Sequence, residues 1–306
     1  MKVLSLVTYP RPFFTDGIAA LRRKGVSVDV LEVPGMDSEA DSRSALDYAR
    51  FYWTVLNKTL EKYDLIHANY GLTAPFAIAQ RHRPVVLSLW GSDLMGSLGW
   101  LSRRSAAFCD ETIVMSEEMK RELGRAAHVI PHGIDFESFR PMDRTQAREA
   151  IGWDSEGRYV LFPYDPSRTV KNYPLAERVV GEVRDSLSDS VELRAVYGID
   201  HDKLPLYMNA SDALLLTSRR EGFPNAVKEA LACNLPVVSR DVGGLRERFG
   251  GIDNSYVCGS DSELPARLEE VLAGGERSNG RDHVSDLSLD GIADATIEVY
   301  RRAINR

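Results

Sequence analysis

Short, nearly continuous apolar runs alternate with helical patterns from one end of the chain to the other. Val3–Val7 reads as a buried first strand. Residues 16–24 (DGIAALRRK) predict a helix opened by Asp16 and closed by Gly25. Val26–Val33 (VSVDVLEV) alternates with period two and predicts a second strand. Asp64–Ala68, Pro84–Leu89, Thr112–Met115 and His128–Ile130 read as further strands. Helical patterns fill roughly 42–62, 73–82, 98–108 and 116–124. Such alternation predicts a parallel sheet covered by helices on both faces.

The pattern then pauses and restarts. A polar, turn-rich segment from Pro131-His132-Gly133 to Arg140-Pro141 is the best linker in the chain. Beyond it, Tyr159–Phe162, Val191–Val196, Ala213–Thr217, Pro236–Ser239 and Ser255–Val257 predict strands. Helices fit at 173–187, 203–210, 224–232, 262–273 and 287–305. The expected organisation is α/β: two Rossmann-like domains, 1–135 with a returning helix at 287–306, and 136–286. A length of 306 residues agrees with two domains at ~100–200 residues each.

Composition narrows the function classes. Apolar residues at 43% and charged residues at 27% allow an ordinary core. The net charge of −7 argues against a nucleic-acid-binding surface. Cys109, Cys233 and Cys258 have no metal-ligand spacing and suit small buried hydrophobes in a reducing, cytoplasmic setting. No apolar run is long enough to span a membrane. GxGxxG after the first strand, GxxxxGK[ST], GxSxG and HExxH are all missing. Asp200-His201-Asp202 matches the short metal pattern DxD, but a cap for the helix near Lys203 is the simpler reading.

The informative block is residues 218–247. A buried strand (ALLLTS) ends at Ser218, and a loop carries Glu221 and Gly222. Pro224 suits the first position of a helix that bears Glu229. The free N–H groups of such a first turn, around Phe223 and Asn225, make a site for an anion such as a phosphate. Asp241-Val242-Gly243-Gly244 offers a second close approach of backbone to a ligand.

With Glu221 and Glu229 seven residues apart inside this block, the chain resembles the family 4 glycosyltransferases, retaining enzymes of the two-domain GT-B fold. IPHGIDFESFRP resembles the family's interdomain segment, and HDKLPLYMNASDALLLTSRREGFPNAVKEALACNLPVVSRDVGG its donor-binding half. The resemblance implies a cleft between two facing domains and a nucleoside diphosphate sugar as donor, with no separate cofactor and no metal. It implies that Glu221 contacts the transferred sugar and Glu229 the ribose. Lys171 and a preceding Arg would face the diphosphate, together with Gly222, Phe223, Asn225, Gly243 and Gly244. The commoner pattern places that Arg five residues before the Lys, where this chain has Pro166; Arg168 is the available cation.

The N-terminal half departs further. Trp90 in LWGSD stands where many members carry a His facing the reacting carbon. Asp93 remains, either to contact sugar or acceptor or to cap a helix. His67 in DLIHANY either lines the cleft or is a packed core histidine. The Gly-rich loop after the first strand is replaced by YPRPFFTDG, with only Gly17 nearby.

The resemblance implies a glycan or lipid-linked acceptor and work in polysaccharide or glycoconjugate assembly at the cytoplasmic face. YARFYW (48–53) with Arg43, Arg50, Lys58 and Lys62, and Trp100 before Arg103-Arg104, suit a peripheral membrane patch or a core-facing aromatic stripe. A nucleotide-sugar epimerase and a catalytically inactive GT-B partner are the alternatives.

Overall fold

The computed structural model describes residues 1–35, 43–80, 82–187, 190–249 and 251–306. The chain forms two compact units: Met1–Gly133 with Leu289–Arg306 is unit 1, and Ile134–Ser288 is unit 2.

In unit 1, β1 (Lys2–Val7), β2 (Ser27–Glu32), β3 (Leu65–Asn69), β4 (Val85–Ser88), β5 (Glu111–Val114) and β6 (His128–Val129) form a sheet in the order β2-β1-β3-β4-β5-β6. All pairings are parallel. β3 and β4 are buried along their whole length, as a sheet covered on both faces requires, while β2 at the edge is only partly buried.

The first helix runs Pro12–Arg23, earlier than the pattern predicted. Pro12 takes the first position, where its missing N–H costs nothing, so Asp16 lies inside the helix instead of capping it. Gly25 follows its end at φ +83°. The helix expected over 42–62 is Ala45–Lys58, started by a reciprocal Ser44/Asp47 capping box. Position 42, like position 81 in the expected 73–82 helix, lies outside the described residues.

The aromatic segment 48–53 divides: Phe51 is in the core and Trp53 points to solvent. Trp100 is also exposed. The C-terminal helix Leu289–Ile304 belongs to unit 1 and buries Ala293, Ile297 and Tyr300. Arg23–Asp290 (2.9 Å) and Lys24–Asp294 (2.7 Å) tie it to the first helix.

In unit 2, β7 (Arg158–Phe162), β8 (Val191–Ala195), β9 (Ala213–Leu216), β10 (Val237–Arg240) and β11 (Tyr256–Cys258) form a second parallel sheet in the order β11-β10-β9-β7-β8. Leu175, Val179 and Val183 of the helix Tyr173–Leu187 and Leu264, Leu268 and Val271 of the helix Leu264–Gly274 pack on Val160, Phe162, Leu215 and Val238. Ile134 N–H donates to the Leu287 carbonyl (2.8 Å), so the chain enters and leaves this unit side by side.

Three local outcomes differ from expectation. Pro224 is the N-cap residue, and its helix starts at Asn225. Asp200 makes no cap; it pairs with Lys203 (3.1 Å) beside a 3-10 turn, His201–Lys203, that leads into the helix Leu204–Ala210. The helix Arg144–Ile151 was not predicted, because RTQAREAI carries almost no apolar stripe.

That helix is held by a buried arginine. Arg148 donates to Asp212 Oδ2 (2.8 Å), to the Ala210 carbonyl (2.9 Å) and to the Ser155 carbonyl (2.5 Å). Asp212 also accepts from Arg144 (2.6 Å) and from the Tyr159 N–H (2.7 Å). Replacing Arg148 by Met strands two carbonyls and half of a buried carboxylate. We expect a stability loss of about 2–4 kcal/mol, measured as a lower urea midpoint.

Candidate functional site

In an open parallel sheet, the loops at the carboxyl ends of two strands diverge where strand order reverses, and the gap between them is the usual ligand site. In unit 2 the reversal lies between β7 and β9. The loop after β7 carries Tyr164, Arg168 and Lys171; the loop after β9 carries Glu221. The two are stitched together. Thr217 Oγ1 donates to the Lys171 carbonyl (2.9 Å), and Arg219 N–H donates to the Val170 carbonyl (2.9 Å).

At this seam Lys171 Nζ lies 2.5 Å from Glu221 Oε1. Both side chains are largely buried, at 7% and 14% exposure. The ammonium also sits 3.7 Å from the centre of the Tyr164 ring, a cation–π contact strengthened by burial. Burial first, then the charges of Glu221 and Glu229, hold the Tyr164 hydroxyl well above the usual tyrosine range, so it stays neutral. Arg168 is exposed beside this group, close enough for its charge to act on Tyr164.

Gly222, Phe223 and Pro224 turn the chain into the helix Asn225–Ala232. No side chain caps this helix and no acidic residue lies in its first turn, so its N–H groups keep their anion-binding capacity. Asn225 Oδ1 and Ser218 Oγ, both buried, accept or donate no hydrogen bond among the described residues. Gly243 (φ +65°) packs directly on this turn. A Cβ there would come within 3.0 Å of Glu221 Cβ and Pro224 Cδ, so only glycine allows the approach. Gly244 follows at φ +73°.

Glu229, a buried residue of the same helix, receives His201 Nε2 at 3.2 Å. The neighbouring Lys228 is fully buried, its ammonium 5.3 Å from the Phe223 ring centre, and burial pulls it down to about 7. Glu221, Lys171, Glu229, Gly222, Phe223, Asn225, Gly243 and Gly244 therefore belong to one neighbourhood of unit 2, with Arg168 at its edge. Tyr164, His201 and Lys228 were not singled out from sequence. His201 lies inside the quoted HDKLPLY segment, and only its pairing with Glu229 gives it a role.

The expected residues of unit 1 behave differently. Asp93 is buried and spends its carboxylate on backbone: Oδ2 accepts from Gly71 N–H (2.8 Å), and Oδ1 from Trp90 (2.9 Å) and Gly91 N–H (2.8 Å). Burial pushes its carboxyl up, and these donors pull it back part of the way. The carboxylate holds the ends of β3 and β4 in register and sets Trp90. This corrects both earlier readings: neither oxygen is left for sugar or acceptor, and the bonds run to the residues before the short helix Ser92–Met95, with no side-chain cap made.

His67 is packed and satisfied, with Nδ1 on the Tyr300 hydroxyl (2.7 Å) and Nε2 on Ser88 Oγ (2.7 Å). Burial lowers it from the ordinary 6.5 to about 3, so the ring is neutral. Below pH 6.5 the unfolded chain takes up a proton that the folded chain refuses. The stability contribution is therefore complete above pH 6.5 and is lost as pH falls toward 3. A His67→Gln variant is expected to show a flatter urea midpoint between pH 6.5 and 3 than the parent.

Comparison with known proteins points to glycosyltransferases. Residues 14–138 match the family model of glycosyltransferase family 4, and residues 185–281 that of group 1 glycosyl transferases. A D-inositol 3-phosphate glycosyltransferase of Catenulispora acidiphila is 26% identical over 319 residues, covering 79% of this chain and 71% of that protein. TuaC of Bacillus subtilis, a glycosyltransferase named for teichuronic acid biosynthesis, is 28% identical, covering 61% of this chain and 55% of that protein. The chain spans about half the length of several such relatives. Among solved structures, Anabaena HepE in complex with UDP and glucose superposes with a TM-score of 0.74 at 18% identity, covering 97% of this chain and 98% of that one. Sucrose-phosphate synthase from Thermosynechococcus elongatus does so with a TM-score of 0.73 at 19% identity, covering 100% and 99%. These likenesses show the GT-B fold.

Proposed function

The chain belongs to the family 4 glycosyltransferases, and on that premise we propose that it moves a sugar from a nucleoside diphosphate sugar to an acceptor hydroxyl with retention of anomeric configuration. The observation that carries this reading is the buried Lys171–Glu221 pair at the switch point of unit 2, beside an uncapped helix N-terminus. A buried ammonium and free backbone N–H groups suit a diphosphate, and a carboxylate held among them suits sugar hydroxyls. HepE, solved in complex with UDP-glucose and with UDP and glucose, supports the donor class.

In the proposed reaction the bond from the anomeric carbon to the diphosphate oxygen breaks. The acceptor oxygen bonds to the same face of that carbon, and its proton passes to the departing phosphate oxygen. Lys171 and the amides of the Phe223–Asn225 turn stabilise the charge that develops on the leaving group, with Arg168 at the rim. We assign this electrostatic work to these groups and not to a metal ion. Glu221 positions the sugar. Glu229, set by His201, accepts the ribose hydroxyls in a fork. The likeness to TuaC supports a place in polysaccharide or lipid-linked glycan assembly, and the three free cysteines suit a reducing cytoplasm.

We also propose that unit 1 touches the inner membrane face through Trp53 and Trp100, both more than half exposed and near Arg50 and Arg104. Unit 1 is close to neutral, with 19 Lys and Arg against 18 Asp and Glu, so the acidity of the chain, 19 against 27 in unit 2, does not oppose that contact. Flotation with anionic phospholipid vesicles is expected to carry the protein up and to leave a Trp53→Ser/Trp100→Ser variant behind.

Purified protein screened by thermal shift against UDP-, GDP- and ADP-sugars should be stabilised by one of them. Glu229→Gln should weaken that donor by about tenfold or more, and Glu221→Gln should cut transfer by at least about 100-fold while the nucleotide still binds. Wild-type transfer by Glu221→Gln would sink the assignment. Donor binding with no turnover would favour an inactive partner subunit, the reading that Trp90 in place of a histidine keeps open. Donor turnover without any acceptor would favour an epimerase.

A further inference from the structure

Unit 1 has its own switch point, between β1 and β3, and a cavity of about 80 Å³ opens there. Its walls are hydrocarbon and aromatic, with Phe13, Ile18 and Leu21 from the first helix, Trp90 after β4, Ile130 after β6 and Ile292 from the C-terminal helix. Phe13 stands edge-on to Trp90 at 5.0 Å between ring centres, which fixes that wall. Among the described residues, no Asp, Glu, Lys or Arg lines the space.

Most polar groups at its floor are spent on one another, and the ring of His132, also in the wall, stacks on Phe13 with 4.0 Å between ring centres. His67 binds Tyr300 and Ser88, Asn69 Nδ2 donates to Ser5 Oγ (2.8 Å) and to the His67 carbonyl (3.2 Å), and Thr296 donates to the Ile292 carbonyl (2.8 Å). A sugar ring brought here would give up its hydration with few partners in return.

The space exists partly because residue 17 has no side chain. Gly17 lies in the first helix on the face of Phe13, Phe14 and Leu21, lines the cavity, and a Cβ built there would meet no atom within 4 Å. Glycine inside a helix is disfavoured relative to alanine. Here it keeps the cavity open.

We propose that this cavity binds an uncharged aliphatic group carried by the acceptor. Its volume is roughly half that of a cavity of about 150 Å³ that takes a benzene ring, which corresponds to about three to five carbons. The word acceptor rests on the glycosyltransferase reading; the hydrocarbon site does not.

The test is a ligand-observed NMR titration with methyl, butyl and octyl β-glucosides below their micelle concentrations. At about fourfold per buried methylene, butyl glucoside should bind at least about tenfold more tightly than methyl glucoside. A plateau between butyl and octyl identifies a short soluble aglycone as the source. A continued rise identifies a lipid chain that runs on past the cavity. Gly17→Leu should fill the space and bring butyl glucoside back to the methyl level, with an unchanged or raised Tm. If that variant does not fold, Gly17→Ala should lower the gain in part. Equal binding of methyl and butyl glucosides by the parent protein, or a butyl gain that survives in the folded Gly17→Leu protein, overturns the proposal. Nucleotide-sugar binding recorded on the same samples separates the two readings. Loss of donor binding in the parent sinks the donor assignment and leaves the glucoside series to judge the cavity by itself.

Discussion

The governing constraint is that parallel strands all end on the same edge of their sheet. Each strand delivers its following loop to that edge, and only where the order of strands reverses do two such loops part and leave room for a ligand. Each unit has one reversal, between β1 and β3 in unit 1 and between β7 and β9 in unit 2. The groups of chemical interest gather at those two places. In unit 2 the reversal sets Lys171 against Glu221, residues fifty positions apart, at 2.5 Å. In unit 1 it opens the apolar cavity beneath Trp90.

The two edges solve opposite electrostatic problems. In unit 2, charge is buried at a cost that pairing and a ring face offset: Lys171 has Glu221 and Tyr164, and Glu229 has His201. Asn225 Oδ1 and Ser218 Oγ are buried without a partner among the described residues, a polar surplus suited to a polar ligand. In unit 1 the accounting at Asp93 and His67 closes without a ligand. Asp93 is consumed by three backbone N–H groups, and His67 by Tyr300 and Ser88. What such an edge still offers is apolar surface.

The strands were legible because burial on both faces leaves uninterrupted apolar runs, as in β3, β4 and β9. Helix starts were legible where a side chain caps an apolar-patterned helix, as at Ser116, misread where proline or the open backbone does the work, as at Pro12 and Asn225, and missed at Asp143, whose cap opens a helix with few apolar residues. The helix Arg144–Ile151 was invisible because an arginine, not an apolar stripe, anchors it. The residues that gather at the unit 2 seam were legible because they lie within one short block and one loop. Tyr164 and His201 were not, since their roles come from side chains that arrive from other elements.

The order of apolar and polar positions determined two parallel α/β sheets, and the block from Ser218 to Gly244 determined the family. Both are local, since a strand or a tight turn records its needs in neighbouring residues. Only the tertiary structure decided that Asp93 and His67 serve the fold, that Gly17 leaves a space unfilled, and that Lys171 is buried against Glu221. Those outcomes depend on which groups meet across the sheet edge, and hydrogen-bond capacity is spent between residues far apart in the chain.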